Sequence, residues 1–148
     1  MRPIDPFRTP GVFEYWIRPM GTPVPQGSKS VTMRSGKPVM FDQQGSHLKA
    51  WRECVAQAAW KATNGEQLDT PVMVTIWFYL ERPASVKRTH MCVKPDIDKL
   101  CRSTLDGLGD SILADDSRVV ELSARKQYAD DTHTGAMIHI RTIKDGEL

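Results

Sequence analysis

The sequence predicts a single layered domain of the α+β or α/β class. Three observations predict it. Two stretches repeat apolar residues at steps of three and four, one run over residues 72–81 is almost wholly apolar, and two later segments alternate. Together they give the order strand, helix, strand, helix, strand, strand.

Residues 1–11 are rich in proline and are expected to form a flexible arm, with one domain over residues 12–148. Residues 12–18, VFEYWIR, are aromatic and β-branched and read as a strand. Residues 19–38 hold four prolines and three glycines with Lys29, Arg34 and Lys37, a long basic loop with a short hairpin at 30–41. A helix is expected from Ser46 to Thr63, where Leu48, Trp51, Val55, Ala58 and Ala62 make one apolar stripe and Asn64-Gly65 a stop. Trp51 and Trp60 are nine residues apart, about 180° around a helix, so they cannot share a face. The run VMVTIWFYLE at 72–81 predicts a strand buried on both faces. A basic loop follows over 82–94. The second helix is expected from Ile97 to Leu108, its stripe made by Ile97, Leu100, Cys101, Leu105 and Leu108, and ended by Gly107 and Gly109. Residues 117–128 and 135–143 read as strands, the first with Val120, Leu122 and Ala124 on one face, the second with Ile138 and Ile140.

At 148 residues the chain can bury roughly 68–70% of its unfolded surface and needs no covalent staples. Hydrophobic content of 40% and charged content of 26% fit a folded, soluble protein rather than a disordered one. No apolar run approaches the roughly 18 residues of a membrane span, and the first residues lack the apolar core of a signal peptide, so a cytoplasmic protein is expected. Cys54, Cys92 and Cys101 form no CxxC pair, which argues against a disulfide framework or a structural zinc site. Net charge is only +2, but residues 1–52 carry +5 and residues 53–148 carry −3. A basic N-terminal part suits a polyanionic partner. A second basic cluster, Arg82, Lys87, Arg88, His90 and Lys94, directly precedes the densest acidic segment.

That segment reads KPDIDKLCRSTLDGLGDSILADDSRVVEL from Lys94 to Leu122. Asp96 and Asp98 flank one apolar residue at the start of a helix, and in extended backbone both would face one side. Asp115 and Asp116 stand just before a strand. If that strand lies beside the helix start, three or four carboxylates converge. Such a cluster repels itself unless protons or cations neutralise it. Hard divalent cations take oxygen ligands, and two of them can clamp an in-line phosphodiester displacement. The four histidines, His47, His90, His133 and His139, show no ligand spacing, and no nucleophile elbow or phosphate loop is present. Each acid also has a structural alternative. Asp96 can be a helix N-cap, Asp98 a first-turn acid, Asp98, Arg102 and Asp106 an ion-pair ladder, and Asp115-Asp116-Ser117 a turn.

KPDIDKL, LDGL and ADDSRVVEL together resemble the RusA-like family of Holliday junction resolvases, with its D-x-D-N-L, D-[AG]-L and D-D-x-x-V-V segments. TPVPQGSKS is similar to the family's P-x-P-x-G-S element. The resemblance implies an α+β fold, with a mixed β-sheet flanked by helices and a homodimer. It also implies an Mg²⁺-dependent endodeoxyribonuclease, with Mn²⁺ as a possible substitute, of the kind found in phages and prophages. Such an enzyme resolves four-way DNA junctions by paired symmetric nicks. Asp96, Asp98 and Asp116 match the metal-binding acids, with Asp115 and Asp106 close by. Two departures stand out. Lys99 replaces the family's asparagine, and Arg102 replaces a lysine one turn along the helix. Arginine keeps the charge but does not give up a proton under ordinary conditions. On this reading Arg102 stabilises the scissile phosphate, and Lys29, Arg34, Arg82, Lys87, Arg88, Lys94 and Lys99 contact DNA. A nuclease for flaps and forks, and a DNA-structure-binding protein without catalysis, are the rival readings.

Overall fold

The structure is a computed structural model, and it describes residues 12–27, 30–34, 37–41, 45–144 and 146. The expected arm over 1–11 and the expected DNA contact Lys29 lie outside the described residues, and Arg34 is described only as a strand position. The elements follow the expected order. They are β1 (Glu14–Ile17), β2 (Ser30–Arg34), β3 (Lys37–Phe41), α1 (Gly45–Thr63), β4 (Val72–Leu80), α2 (Ile97–Gly109), a 3₁₀ turn (Asp116–Arg118), β5 (Val119–Tyr128) and β6 (Gly135–Thr142). β2 and β3 form a separate antiparallel hairpin.

The main sheet has the order β1-β6-β4-β5 and is mixed: β4 is antiparallel to β6 and parallel to β5. The parallel pair requires a crossover, which α2 supplies. Both helices cover one face, the α+β arrangement, with Val74, Ile76, Phe78, Ile138 and Ile140 packed beneath Trp51, Val55, Leu100 and Leu108. β4 therefore alternates between buried and half-buried side chains. The expectation that it is buried on both faces is corrected: its second face, with Met73, Thr75, Trp77 and Tyr79, is half-buried and has no helix over it among the described residues.

Two further expectations shift. The buried stripe of α1 runs Leu48, Trp51, Val55, Ala59 and Thr63, so Ala62 is exposed. Thr63 can be buried because its Oγ1 donates to the Ala59 carbonyl at 3.0 Å. Trp60 points away from Trp51, at 58% exposure against 2%, as their spacing requires. On the edge strand β5 the register slips between Val119 and Glu121, and Val120 and Leu122 are left exposed.

Asn64 and Gly65 both take positive φ, and the Gly65 N–H returns to the Trp60 carbonyl at 2.9 Å, closing α1 as expected. Gly107, by contrast, does not end α2. A Cβ there would lie 2.9 Å from the Val55 Cβ and 3.0 Å from the Arg52 carbonyl, so this glycine lets α1 and α2 approach. Between the same helices Trp51 Nε1 donates to Thr104 Oγ1 at 3.2 Å.

Candidate nuclease site

The acids of the Lys94–Leu122 segment occupy the two ends of α2. Asp96 holds the N-cap position of α2, but its carboxylate makes no capping bond to the helix. It pairs instead with Lys94 at 2.7 Å. The structural alternative of a plain N-cap is thus not realised. Asp98 lies in the first turn, 68% exposed, and pairs with Lys99 at 3.2 Å, which holds its carboxyl below the ordinary value. Arg102 is exposed one turn further on and makes no ion pair among the described residues, so the ladder from Asp98 through Arg102 to Asp106 does not form.

Asp115 and Asp116 sit at the other end of the helix, where the 3₁₀ turn packs beside α2. Asp115 Oδ1 accepts the Ser117 N–H at 2.7 Å, and that bond draws the Asp115 carboxyl down. Asp116 is pushed up, first by its hydrogen bond with Asp115, then by burial and by the negative charges of Asp115 and Asp106. Asp106 and Asp116 are therefore neighbours, as α2 runs antiparallel to β5. The structure does not draw Asp96 and Asp98 together with this pair. Among the described residues no three of His, Cys, Asp and Glu stand close enough to hold an ion together. The helix separates the two acid pairs because Asp98 and Asp106 are two turns apart, about 12 Å.

The donor chemistry nevertheless fits a hard divalent cation. Asp116, raised by its acidic neighbours Asp115 and Asp106, stands where negative charge is crowded, and a hard cation would relieve that crowding. The loop over residues 22–27 is fastened to the same helix. Ser103 Oγ donates to the Val24 carbonyl at 2.6 Å, and the Gln26 N–H to the Lys99 carbonyl at 3.0 Å. Between this loop and α1 opens a cleft of about 1290 Å³, with Val24, Trp51 and Leu80 inside and Lys94, Asp96 and Lys99 at its rim.

Lys126 was not among the expected site residues. Its Nζ donates to the carbonyls of Val93 and Pro95, at 2.5 and 2.8 Å, and so ties β5 to the residue before Asp96. Its position in the register signals this role: Lys126 pairs with buried Phe78, on the helix-covered face where an apolar residue is expected.

Among the expected DNA contacts, Lys87 and Arg88 are exposed. Arg82, expected to contact DNA, is engaged within the chain. Its Nε and Nη2 grip Asp130 at 2.7 and 2.9 Å, and its Nη1 donates to the carbonyls of Val86 and Arg88. Its guanidinium also lies 4.1 Å from the centre of the Tyr128 ring. Arg82 pins the basic loop.

Two comparisons bear on these residues. The family model described as endodeoxyribonuclease RusA matches residues 20–141, which span the 22–27 loop, both acid pairs and the main sheet except β1 and the last residue of β6. The chain is also similar to a Bacillus subtilis (strain 168) protein described as uncharacterized protein YqaN, 29% identical over 130 residues, covering 80% of this chain and 90% of that one. With most of its length matched and the acidic motifs at the ends of one helix, the chain belongs to the RusA endodeoxyribonuclease family.

Proposed function

We propose that this protein resolves four-way DNA junctions by paired symmetric nicks, as a homodimeric, metal-dependent endodeoxyribonuclease. The family match over residues 20–141, which takes in every acid of the motif, carries this reading. Asp96, Asp98 and Asp116 would hold Mg²⁺ or Mn²⁺, with Asp115 beside them. The bound cation would activate water and stabilise charge on the phosphate oxygens.

The chain's own residues prepare that chemistry. Lys94 and Lys99 neutralise Asp96 and Asp98 until a cation takes their place. Arg102, with no ion pair among the described residues and on the exposed face between the two acid pairs, meets the phosphate as a fixed positive charge. It acts electrostatically, since its guanidinium keeps its protons. Lys87 and Arg88 on the loop that Arg82 braces contact neighbouring phosphates and set salt dependence rather than sequence preference. Bringing the acid pairs onto shared cations requires the α2 start and the 3₁₀ turn to close toward each other.

That requirement keeps a second reading open, a branched-DNA-binding protein without cleavage. The test is an end-labelled four-way junction beside a flap and a linear duplex, with Mg²⁺ or EDTA, for wild type and Asp98→Asn. Symmetric nicks confined to the junction, lost in EDTA and in the variant, support resolution. Equal cutting of flap and junction would make the protein a general branched-DNA nuclease. Tight binding without nicks in Mg²⁺ and Mn²⁺ alike would establish the second reading.

A further inference from the structure

The cleavage chemistry leaves one feature beside the start of α2 unused. It is the cleft of about 1290 Å³ between α1 and the loop over residues 22–27. That volume exceeds the roughly 300–1,000 Å³ of an ordinary small-ligand site. Buried Trp51 and Leu80 form its floor. Met20, 61% exposed, Pro25 and exposed Ala50 form its walls.

The cleft is built in advance, because its loop is held from three sides. The Cys54 thiol of α1 donates to the Met20 carbonyl at 3.2 Å, and the Gly21 N–H to the Thr134 carbonyl before β6 at 3.1 Å. The bonds from Ser103 to Val24 and from Gln26 to Lys99 fix the rest to α2. A wall anchored in this way loses little freedom when a ligand enters.

Charge selects the ligand. Among the described residues that line the cleft stand two lysines, Lys94 and Lys99, and a single acid, Asp96. The rim is therefore net positive above apolar walls. A purely apolar molecule makes no use of the ammonium groups, and an inorganic anion none of methionine, proline and tryptophan. A nucleotide uses both. Its base packs on apolar and thioether surface, and its phosphate pairs with lysine. Bases inside a duplex are paired and stacked, so the nucleotide must come from a place where stacking is already broken. A branch point is such a place, since a base leaves the stack there at least cost.

We infer that this cleft takes one unpaired nucleotide of the branch point, its base between Met20 and Ala50 and its phosphate on Lys94 and Lys99. The inference rests on the branched-DNA substrate proposed above and names the part of it that the cleft grips. Asp96 shares the same rim, so the grip brings a phosphodiester of that strand to the first acid pair. Apolar walls accept purine and pyrimidine alike. The contact thus selects unpaired structure rather than sequence.

Equilibrium binding of a four-way junction to the full chain in EDTA tests this, read by fluorescence anisotropy, with an abasic residue stepped through the positions nearest the branch point. At one position wild type should bind about tenfold more weakly, the loss of one packed base. Ala50→Phe and Thr22→Phe fill the cleft from α1 and from the loop, and both positions are exposed, so the fold can absorb the ring. Each should bind the intact junction about tenfold more weakly and should not distinguish the abasic one. The intact junction should also slow labelling of Cys54, which lines the cleft, more than the abasic junction does. Wild-type binding that ignores every abasic position would overturn the inference and leave junction resolution standing. So would full affinity in both filled variants, or equal protection of Cys54 by a linear duplex. A protein that binds no branched DNA would overturn both readings.

Discussion

Asp115 and Asp116 stand side by side at the 3₁₀ turn, yet their carboxyl groups shift in opposite directions, Asp115 down through the Ser117 N–H and Asp116 up beside its acidic neighbours. The pair resists carrying two charges, so a cation should be more welcome here than at an isolated aspartate. Without divalent metal, Asp116→Asn should leave thermal stability unchanged or raise it, because it relieves repulsion from Asp115 and Asp106. With Mg²⁺ at about ten times its dissociation constant, wild type should gain about 3 °C in Tm. The variant should gain nothing. Differential scanning fluorimetry with and without EDTA reads both, and an equal Mg²⁺ response in the two proteins would remove Asp116 from the cation site.

Gly107 and Gly109 should respond in opposite ways to alanine. At Gly109 nothing lies within 4 Å of an added Cβ, so Gly109→Ala should stabilise the helix end by up to about 1 kcal/mol. At Gly107 the new methyl would press on Val55 and the Arg52 backbone. Gly107→Ala should therefore cost about 1–3 kcal/mol, since overpacking outweighs the gain in helix propensity. Urea unfolding of the two variants decides the matter. A Gly107→Ala protein as stable as wild type would mean that α1 can back away from α2 without penalty.

Gly107 also shows where the sequence was legible and where it was not. Its place in LDGL was evident, but its role as a contact between helices depends on α1, some fifty residues earlier. Helices and strands were readable because apolar spacing is a local signal. The open face of β4 was not, because Met73, Thr75, Trp77 and Tyr79 look the same whether covered by a helix or by another subunit. The acids were readable as a motif. Their separation along α2 was not, since the spacing from Asp98 to Asp116 says nothing of which end of the helix β5 begins at. Arg82 read as a phosphate contact because Asp130, its partner, lies 48 residues away.

Arg82 and Lys87 sit in one loop but should behave differently toward DNA. Lys87→Ala should lower the salt slope of junction binding by about 0.9, one phosphate contact. Arg82→Ala should leave that slope nearly unchanged while loosening residues 82–94. The brace is also pH-dependent. Arg82 holds the Asp130 carboxyl below its ordinary value, so its contribution is present above the unfolded pKa of about 3.9 and is lost as pH falls through the folded value. Pepsin should therefore cut the loop more readily at strongly acid pH than near pH 4. Asp130→Asn should flatten that difference. An Arg82→Ala protein whose salt slope drops as far as that of Lys87→Ala would return Arg82 to the DNA-binding surface.

The three thiols should separate by reactivity, and the order tests the packing of α2. Cys92 is exposed, Cys54 is half-buried with its thiol donating to the Met20 carbonyl at 3.2 Å, and Cys101 is buried under the helix. Burial, with a smaller effect from the Asp98 charge, pushes the Cys101 thiol up to about 11. At pH 8 about one part in 1,000 of it would then be thiolate, the reactive form. Burial also raises the Cys54 thiol. A thiol-disulfide reagent at pH 8 should thus label Cys92 first and Cys54 slowly, and reach Cys101 only in denaturant. Cys92→Ser should abolish the fast phase. Fast labelling of Cys101 in native conditions would mean that α2 lifts from the core often enough to expose its buried stripe, and with it the frame that spaces Asp98 from Asp106.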